Sequence, residues 1–267
     1  MTFQIKNKSN TVFNRMFAIL AFVFILFLCI FSPVVGEVNA QNNDEKTADF
    51  LFQKPKNYLG IRAGIFDPKA DSDLFDMVTE ELTLKKSDFR AFNLGVDIGF
   101  SMNRRLDIVV SLDHSTETES SEFRDYVDED GFAITQSTKF SQTPLTAGIR
   151  FLIIPRGREI GKYSWLPNPV VPYLSAGAGI LWYEFKQHGD FVDFSTLDIF
   201  SATLDSSDET LAGYLGCGTE FNIFKGANLN LDFRYYLADD GLGGDFVGFD
   251  AIELGGYRLT AGIQWHF

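Results

Sequence analysis

Beyond residue 55, apolar and polar residues alternate with a period of two in eight separate segments. The last is the clearest. Tyr257, Leu259, Ala261, Ile263, Trp265 and Phe267 fall on one set of positions, and Arg258, Thr260, Gly262, Gln264 and His266 on the other. Successive side chains of a strand point to opposite faces, so the pattern predicts a strand with one apolar and one polar face. The same split recurs at 58–66, 92–102, 105–113, 145–153, 173–183, 211–222 and 229–237. Within 105–113, Val109 breaks the pattern by falling on the polar set. The segments run from nine to twelve residues, the length a tilted strand needs to cross a bilayer.

Alternation alone fits a soluble sandwich or barrel with the apolar face inward, and equally a membrane barrel with the apolar face on lipid. The connections separate the two. Short links (Asn103-Arg104 and 224–227) alternate with long ones at 67–88, 115–142, 186–210 and 239–256; the link at 154–172, with Pro155, Pro167 and Pro169, is intermediate. Short turns on one side and long loops on the other are the signature of an outer-membrane barrel. Charge divides the same way. The four long loops carry a net −19, while the opposite ends, with Arg104, Arg156, Arg158, Lys162 and Lys225 against Glu159, carry +4.

The polar face is itself balanced. Arg62, Arg105, Arg150, Arg234 and Arg258 stand against Asp97, Asp107, Asp113, Glu220 and Asp232. Inside a narrow barrel such groups must pair, because an isolated buried charge is costly. This set is therefore expected to form a structural charge network in the lumen, with inward glycines leaving room for the long arginines.

The first forty residues have a different character. Lys6, Lys8 and Arg15 precede an unbroken apolar run from Met16 to Phe31, then the breaker Ser32-Pro33 and small residues ending at Ala40. A basic start, an apolar stretch and a small-residue end read as a secretory signal peptide over 1–40. Cleavage after Ala40 removes Cys29 and leaves Cys217 as the single cysteine. Residues 41–55 are polar and without period, a short periplasmic segment ahead of a barrel domain at 56–267.

Composition narrows the function classes. The 267 residues carry 23 basic and 36 acidic side chains, a net of −13. That argues against nucleic acid as a partner, since phosphate binding needs a basic surface. Two cysteines rule out a disulfide framework and an all-cysteine zinc site.

With these residues in view, the chain over 56–267 resembles the small eight-stranded outer-membrane barrels of the OmpA, OmpX and OmpW type. The ending YRLTAGIQWHF is similar to the terminal strand that barrel-assembly machinery recognises in that group, with Tyr257, Trp265 and Phe267 on its apolar face. PYLSAGAGILWY is similar to another of its strand patterns. The resemblance implies an all-β, antiparallel, up-and-down transmembrane barrel. It implies export to the outer membrane of a Gram-negative-type bacterium, with the membrane lipids and the assembly machinery as partners and a monomeric state. It says little about activity, because fold does not imply function.

The expected role is structural or in surface interaction, with a plugged polar lumen, acidic external loops and an extracellular partner that the sequence does not identify. A narrow conduit for small apolar solutes is the alternative, with Phe191, Phe194, Leu197, Ile199 and Phe200 of loop 186–210 at its mouth. The third reading is a lipid-modifying enzyme. His114, followed by Ser115, Thr116, Glu117 and Glu119, invites comparison with barrel deacylases, but Thr116 stands where their serine would be. Asp125, Asp128, Glu129 and Asp130 match no calcium-loop spacing and read as a solvated acidic surface. No catalytic residue, metal ligand or cofactor is assigned.

Overall fold

The computed structural model describes residues 55–128, 130–160, 164–193, 196–224 and 226–267. The signal-peptide reading over 1–40 and nearly all of the 41–55 segment lie outside these described residues.

Among the described residues twelve strands are formed: β1 (Asn57–Pro68), β2 (Ala91–Ser101), β3 (Leu106–Val127), β4 (Ala133–Leu152), β5 (Gly157–Ile160), β6 (Ser164–Pro167), β7 (Val170–Val192), β8 (Ile199–Phe224), β9 (Ala227–Leu237), β10 (Asp239–Asp240), β11 (Ile252–Glu253) and β12 (Gly256–His266). Eight are the staves of a closed antiparallel barrel in the order β1, β2, β3, β4, β7, β8, β9, β12. The seam is β1 against β12, in register at Ile61↔Ile263, and Phe267 N–H and C=O bond back to Asn57. The minor pairs β5–β6 and β10–β11 lie within connections.

Each stave keeps the period-two pattern. Ile61, Leu94, Ile108, Ile149, Leu174, Leu215, Phe233 and Leu259 point outward and are exposed. The alternate positions point inward and are polar, among them Arg62, Asp97, Asp113, Arg150, Glu220 and Arg258, all buried. An exposed apolar belt around a buried polar interior is what a lipid solvent demands of a barrel. A monomeric soluble domain rarely leaves so continuous an apolar surface uncovered. Val109 is buried and faces inward with its register neighbours, between Gly99 and Gly148 on the flanking strands.

Two of the expected long loops are strands instead. β3 and β4 stay paired from Leu106↔Phe151 to Val127↔Ala133, with one irregularity between Glu122 and Val127. β7 and β8 pair from Val170↔Phe221 to Val192↔Ile199. At roughly 3.3 Å per residue, the 26 residues of β8 reach far beyond a hydrocarbon layer of about 30 Å. Past the belt, the outer face changes to Thr116, Thr118, Ser141, Lys139, Glu184 and Lys186. The alternation of hydropathy fades there although the backbone ladder continues.

The first long loop also folds. Asp73–Glu81 forms helix α1, and Lys86–Phe89 a short 3-10 turn. Leu74, Phe75 and Val78 lie on one side of α1 and are buried, the one-sided apolar stripe of an amphipathic helix.

Candidate functional site

The barrel interior holds two chemically distinct layers. On the short-turn side and through the middle lies a network of paired charges. Arg62 donates to Asp113 at 2.7 Å and lies 3.1 Å from Asp97. Arg234 lies 2.7 Å from Asp232 and 3.4 Å from Asp97, and donates to Ser111 at 2.9 Å. Arg150 reaches Glu220 at 3.1 Å and Asp97 at 3.8 Å, with its guanidinium carbon 4.1 Å from the Tyr173 ring centre. Tyr173 in turn donates to Asp232 at 2.6 Å. Asp97 thus stands among three arginines from three different strands and accepts a hydrogen bond from Ser111 at 2.6 Å. Charge-assisted bonds of this kind are the strong ones, and each burial is tolerable only because a partner is present.

The sequence placed Arg105 in this network, and that assignment is corrected. Arg105 is exposed in the turn between β2 and β3. The Asn103 side chain accepts the N–H groups of both Arg105 and Leu106, so the chain is still turning at Arg105 and the strand starts one residue later. The fifth lumen cation is Arg156, from the connection between β4 and β7. Its Nε and Nη2 bind the two oxygens of Glu220 at 2.6 Å each, Nη2 also meets Asp107 at 2.6 Å, and Nη1 donates to Ser101 at 3.2 Å. The count of five cations against five carboxylates is unchanged, with one arginine exchanged for another. The length of the Pro155–Pro169 connection was the sequence signal available.

Small residues make this packing possible at defined places. A Cβ on Gly99 would lie 2.0 Å from the Tyr58 ring, and one on Gly95 would lie 2.4 Å from an oxygen of Asp113 and 3.2 Å from the Arg62 side chain. Tyr58 is fully buried, and its ring centre lies about 5 Å from the guanidinium carbons of both Arg150 and Arg156. Cation–π contacts strengthen when desolvated.

The second layer is apolar. Phe75 of α1 makes edge-to-face contacts with Phe89 at 5.0 Å, Phe140 at 5.4 Å and Phe185 at 5.8 Å, and Phe185 meets Phe246 at 5.4 Å. Leu74, Val78, Leu181, Tyr214, Ile252 and Leu254 belong to the same buried cluster. It joins the α1 loop, the inner face of the extended β4, β7 and β8, and the last loop. Arg258 lies at the boundary. It donates to Asn93 and, at 3.0 Å, to Gln142, and its guanidinium carbon is 4.3 Å from the Phe66 ring centre. Asn93 passes the contact on to Asp113 at 3.0 Å. At the rim Lys69 reaches Glu253 at 3.0 Å, Lys86 reaches Asp76 at 3.0 Å and Arg90 reaches Asp67 at 3.0 Å. The Glu253 hydrogen bond raises the pKa of Lys69, and that of Asp76 raises Lys86.

The other candidates fall elsewhere. His114 shares the outer face with exposed Thr116 and meets Thr143 at 2.9 Å, whereas Ser115 is buried on the inner face. Strand alternation therefore separates the histidine from the adjacent serine. Phe191 and Phe200 stack at 6.0 Å near the end of the β7–β8 hairpin, and Leu197, Ile199 and Phe200 are exposed. They do not belong to the cluster around Phe75; Phe194 lies outside the described residues. Asp128 caps its own turn by accepting from Asp130 and Phe132 N–H, and Glu129 lies outside the described residues. Tyr257, Trp265 and Phe267 are exposed on the outer face, with Tyr257 against Tyr235 at 4.8 Å. Cys217 is exposed on the same face.

No protein-family model matches the sequence, and no curated protein matches it. Solved structures of small outer-membrane barrels are similar to it. Neisserial surface protein A matches at 13% identity over 79% of this chain and 96% of its own, with a TM-score of 0.42. Ail, the attachment invasion locus protein of Yersinia pestis, matches at 17% identity over 80% of this chain and 100% of its own, with a TM-score of 0.41. A major outer membrane protein of Thermus thermophilus matches at 12% identity over 80% and 100%, with a TM-score of 0.43. The closed pairing of eight staves defines the fold of this chain independently of those likenesses.

Proposed function

We propose that this chain is an outer-membrane barrel closed to solutes, with a structural or surface-interaction role on its long-loop side. The observation that carries the reading is the pairing of buried charges across the interior, from Arg156–Glu220 near the short turns up to Arg62–Asp113. An eight-stranded barrel has an interior that side chains just fill, and ion pairs spanning it support a closed lumen. The aromatic cluster around Phe75 supports a second closure on the loop side. The exposed apolar belt supports residence in a bilayer. The separation of His114 from Ser115 favours a role without catalysis.

Single-channel recording in planar bilayers tests the closure. The expected record has no stable conductance, and a large, steady one overturns the reading. Heat-modifiable mobility of protein from isolated outer membranes tests the location, and a chain recovered soluble from the periplasm overturns it. Lipid A from cells carrying His114→Ala is expected to match that of the parent strain.

A further inference from the structure

The far end of β8, Ile199–Leu204, reads Ile-Phe-Ser-Ala-Thr-Leu. It has no charge, no proline and no glycine, and it is rich in strand-forming residues. Its first edge pairs with β7, from Val192↔Ile199 to Gln187↔Leu204. Its second edge is different. β9 pairs with β8 only from Gly213↔Leu237 onward. Between those points the last loop covers the strand. Thr210 donates to the Asp239 carbonyl at 2.9 Å, Gly243 N–H donates to Ser206 Oγ at 3.2 Å, and Asp205 N–H donates to the Asp245 carboxylate at 3.0 Å. The cover stops at Asp205. Among the described residues, no strand pairs with the second edge of Ile199–Leu204.

The direction of the backbone groups follows. Asp205 N–H points away from β7, and alternate residues of an antiparallel strand aim their N–H and C=O to the same side. Ile199, Ser201 and Thr203 therefore present theirs along the open edge. Proteins normally blunt such an edge with inward charges, proline, a bulge or a covering loop, because an uncharged open strand is a template for another strand. Here only the flanks are charged, by Asp198 and Asp205.

We propose that the open edge of Ile199–Leu204 receives an extended segment of a partner protein by strand addition, the segment having an uncharged, strand-forming centre bracketed by Lys or Arg. Strand addition draws affinity from main-chain hydrogen bonds and specificity from alternate side chains. The charge at both ends selects the occupant. A second copy paired antiparallel through the same edge brings the acidic flanks of the two chains close together, Asp198 of one within a residue of the position opposite Asp205 of the other, a like-charge approach that disfavours self-association. An anionic lipid surface is repelled for the same reason. The proposal rests on the surface-interaction reading and names the partner's chemistry.

The test uses the chain in phosphatidylcholine nanodiscs and a labelled probe peptide, Lys-Lys-Val-Thr-Val-Thr-Val-Lys-Lys, followed by fluorescence anisotropy. Saturable binding is expected. Methylating alternate peptide nitrogens of the probe weakens it at least about tenfold, because the ladder loses its donors. A probe with Glu ends does not bind. Ser201→Pro removes an N–H that faces away from β7, so the barrel keeps its heat-modifiable mobility while the probe is lost. Asp198→Lys together with Asp205→Lys transfers binding to the Glu-ended probe, which keeps the question decidable if the proline variant misfolds. Equal binding of the methylated probe, unchanged binding to Ser201→Pro, equal binding to empty nanodiscs, or pairing of differently labelled chains with each other overturns the proposal. A chain that conducts nothing and ignores the probe overturns the strand-addition proposal alone. A large conductance overturns the closed-barrel reading, while the probe data still decide the edge.

Discussion

The two layers inside the staves solve the same packing problem with opposite chemistry. Around Asp97 the space is filled by charges that meet at 3.1 to 3.8 Å; around Phe75 it is filled by rings at 5.0 to 5.8 Å. The ionic layer lies where the outer face is apolar and exposed, and the aromatic layer where that face has turned to Thr, Ser, Glu and Lys. The difference teaches which solvent each part faces. In a bilayer the apolar residues of a stave belong outside, so the interior must be polar and internally paired. Beyond the bilayer the solvent is water, and the ordinary rule returns with apolar groups inside. The molecule reverses its polarity along the length of the same strands.

Five substitutions test that contrast, in descending order of effect. Asp97→Ala leaves three arginines competing for the remaining carboxylates. It is expected to lower stability by about 3–5 kcal/mol, read as the shift of the urea unfolding midpoint in lipid vesicles. Asp97→Asn should recover little of that loss, since it keeps an acceptor for Ser111 but not the charge; full recovery would recast the layer as a hydrogen-bond network. Phe75→Ala removes the hub of the aromatic layer and should cost roughly 3 kcal/mol. Its signature is faster proteolysis within 69–90 with the staves still protected. A variant as resistant as the parent would mean that α1 is not packed as a core.

Tyr173→Phe deletes the hydroxyl shared by Asp232 at 2.6 Å and Asn230 at 2.9 Å, with an expected loss of about 1–3 kcal/mol. Because the ring stays over Arg150, the loss isolates the hydrogen bonds from the cation–π contact. The smallest effect belongs to Lys69→Met at the exposed rim, where solvent screens the pair with Glu253. A lysine whose pKa is raised in the folded state stabilises below its ordinary titration range, and the contribution disappears as pH rises through the raised value. The small stability gap between parent and Lys69→Met should therefore close as pH rises past the ordinary lysine range and through the raised value, and a gap that persists at still higher pH would point to stem packing instead.

Much of this could be read along the chain. The belt residues and the inward set from Arg62 to Arg258 follow from alternation, because strand geometry gives each residue a face. The Asp97 neighbourhood was legible as a balanced group, though not as particular pairs. Three features were not visible. Arg105 and Arg156 exchange places because Asn103 prolongs a turn and a distant connection bends an arginine into the lumen. The long hairpins escaped because their outer faces are Thr, Ser and charge, leaving no contrast of hydropathy to mark a strand. Helix α1 carries its stripe at Leu74, Phe75 and Val78, but that stripe lies in a stretch whose acidity reads as a loop.

What the amino-acid sequence determines by itself is local and periodic: eight two-faced staves, the side on which long connections and acids gather, and a polar face of near-zero net charge. Those follow from side-chain alternation and from the expense of unpaired buried charge, which act on neighbours along the chain. Which arginine meets which carboxylate, where Phe75 finds its three rings, and which edge of β8 stays open were decided only in the tertiary structure. These are relations between residues far apart in sequence, set by barrel closure and by where each connection happens to pass.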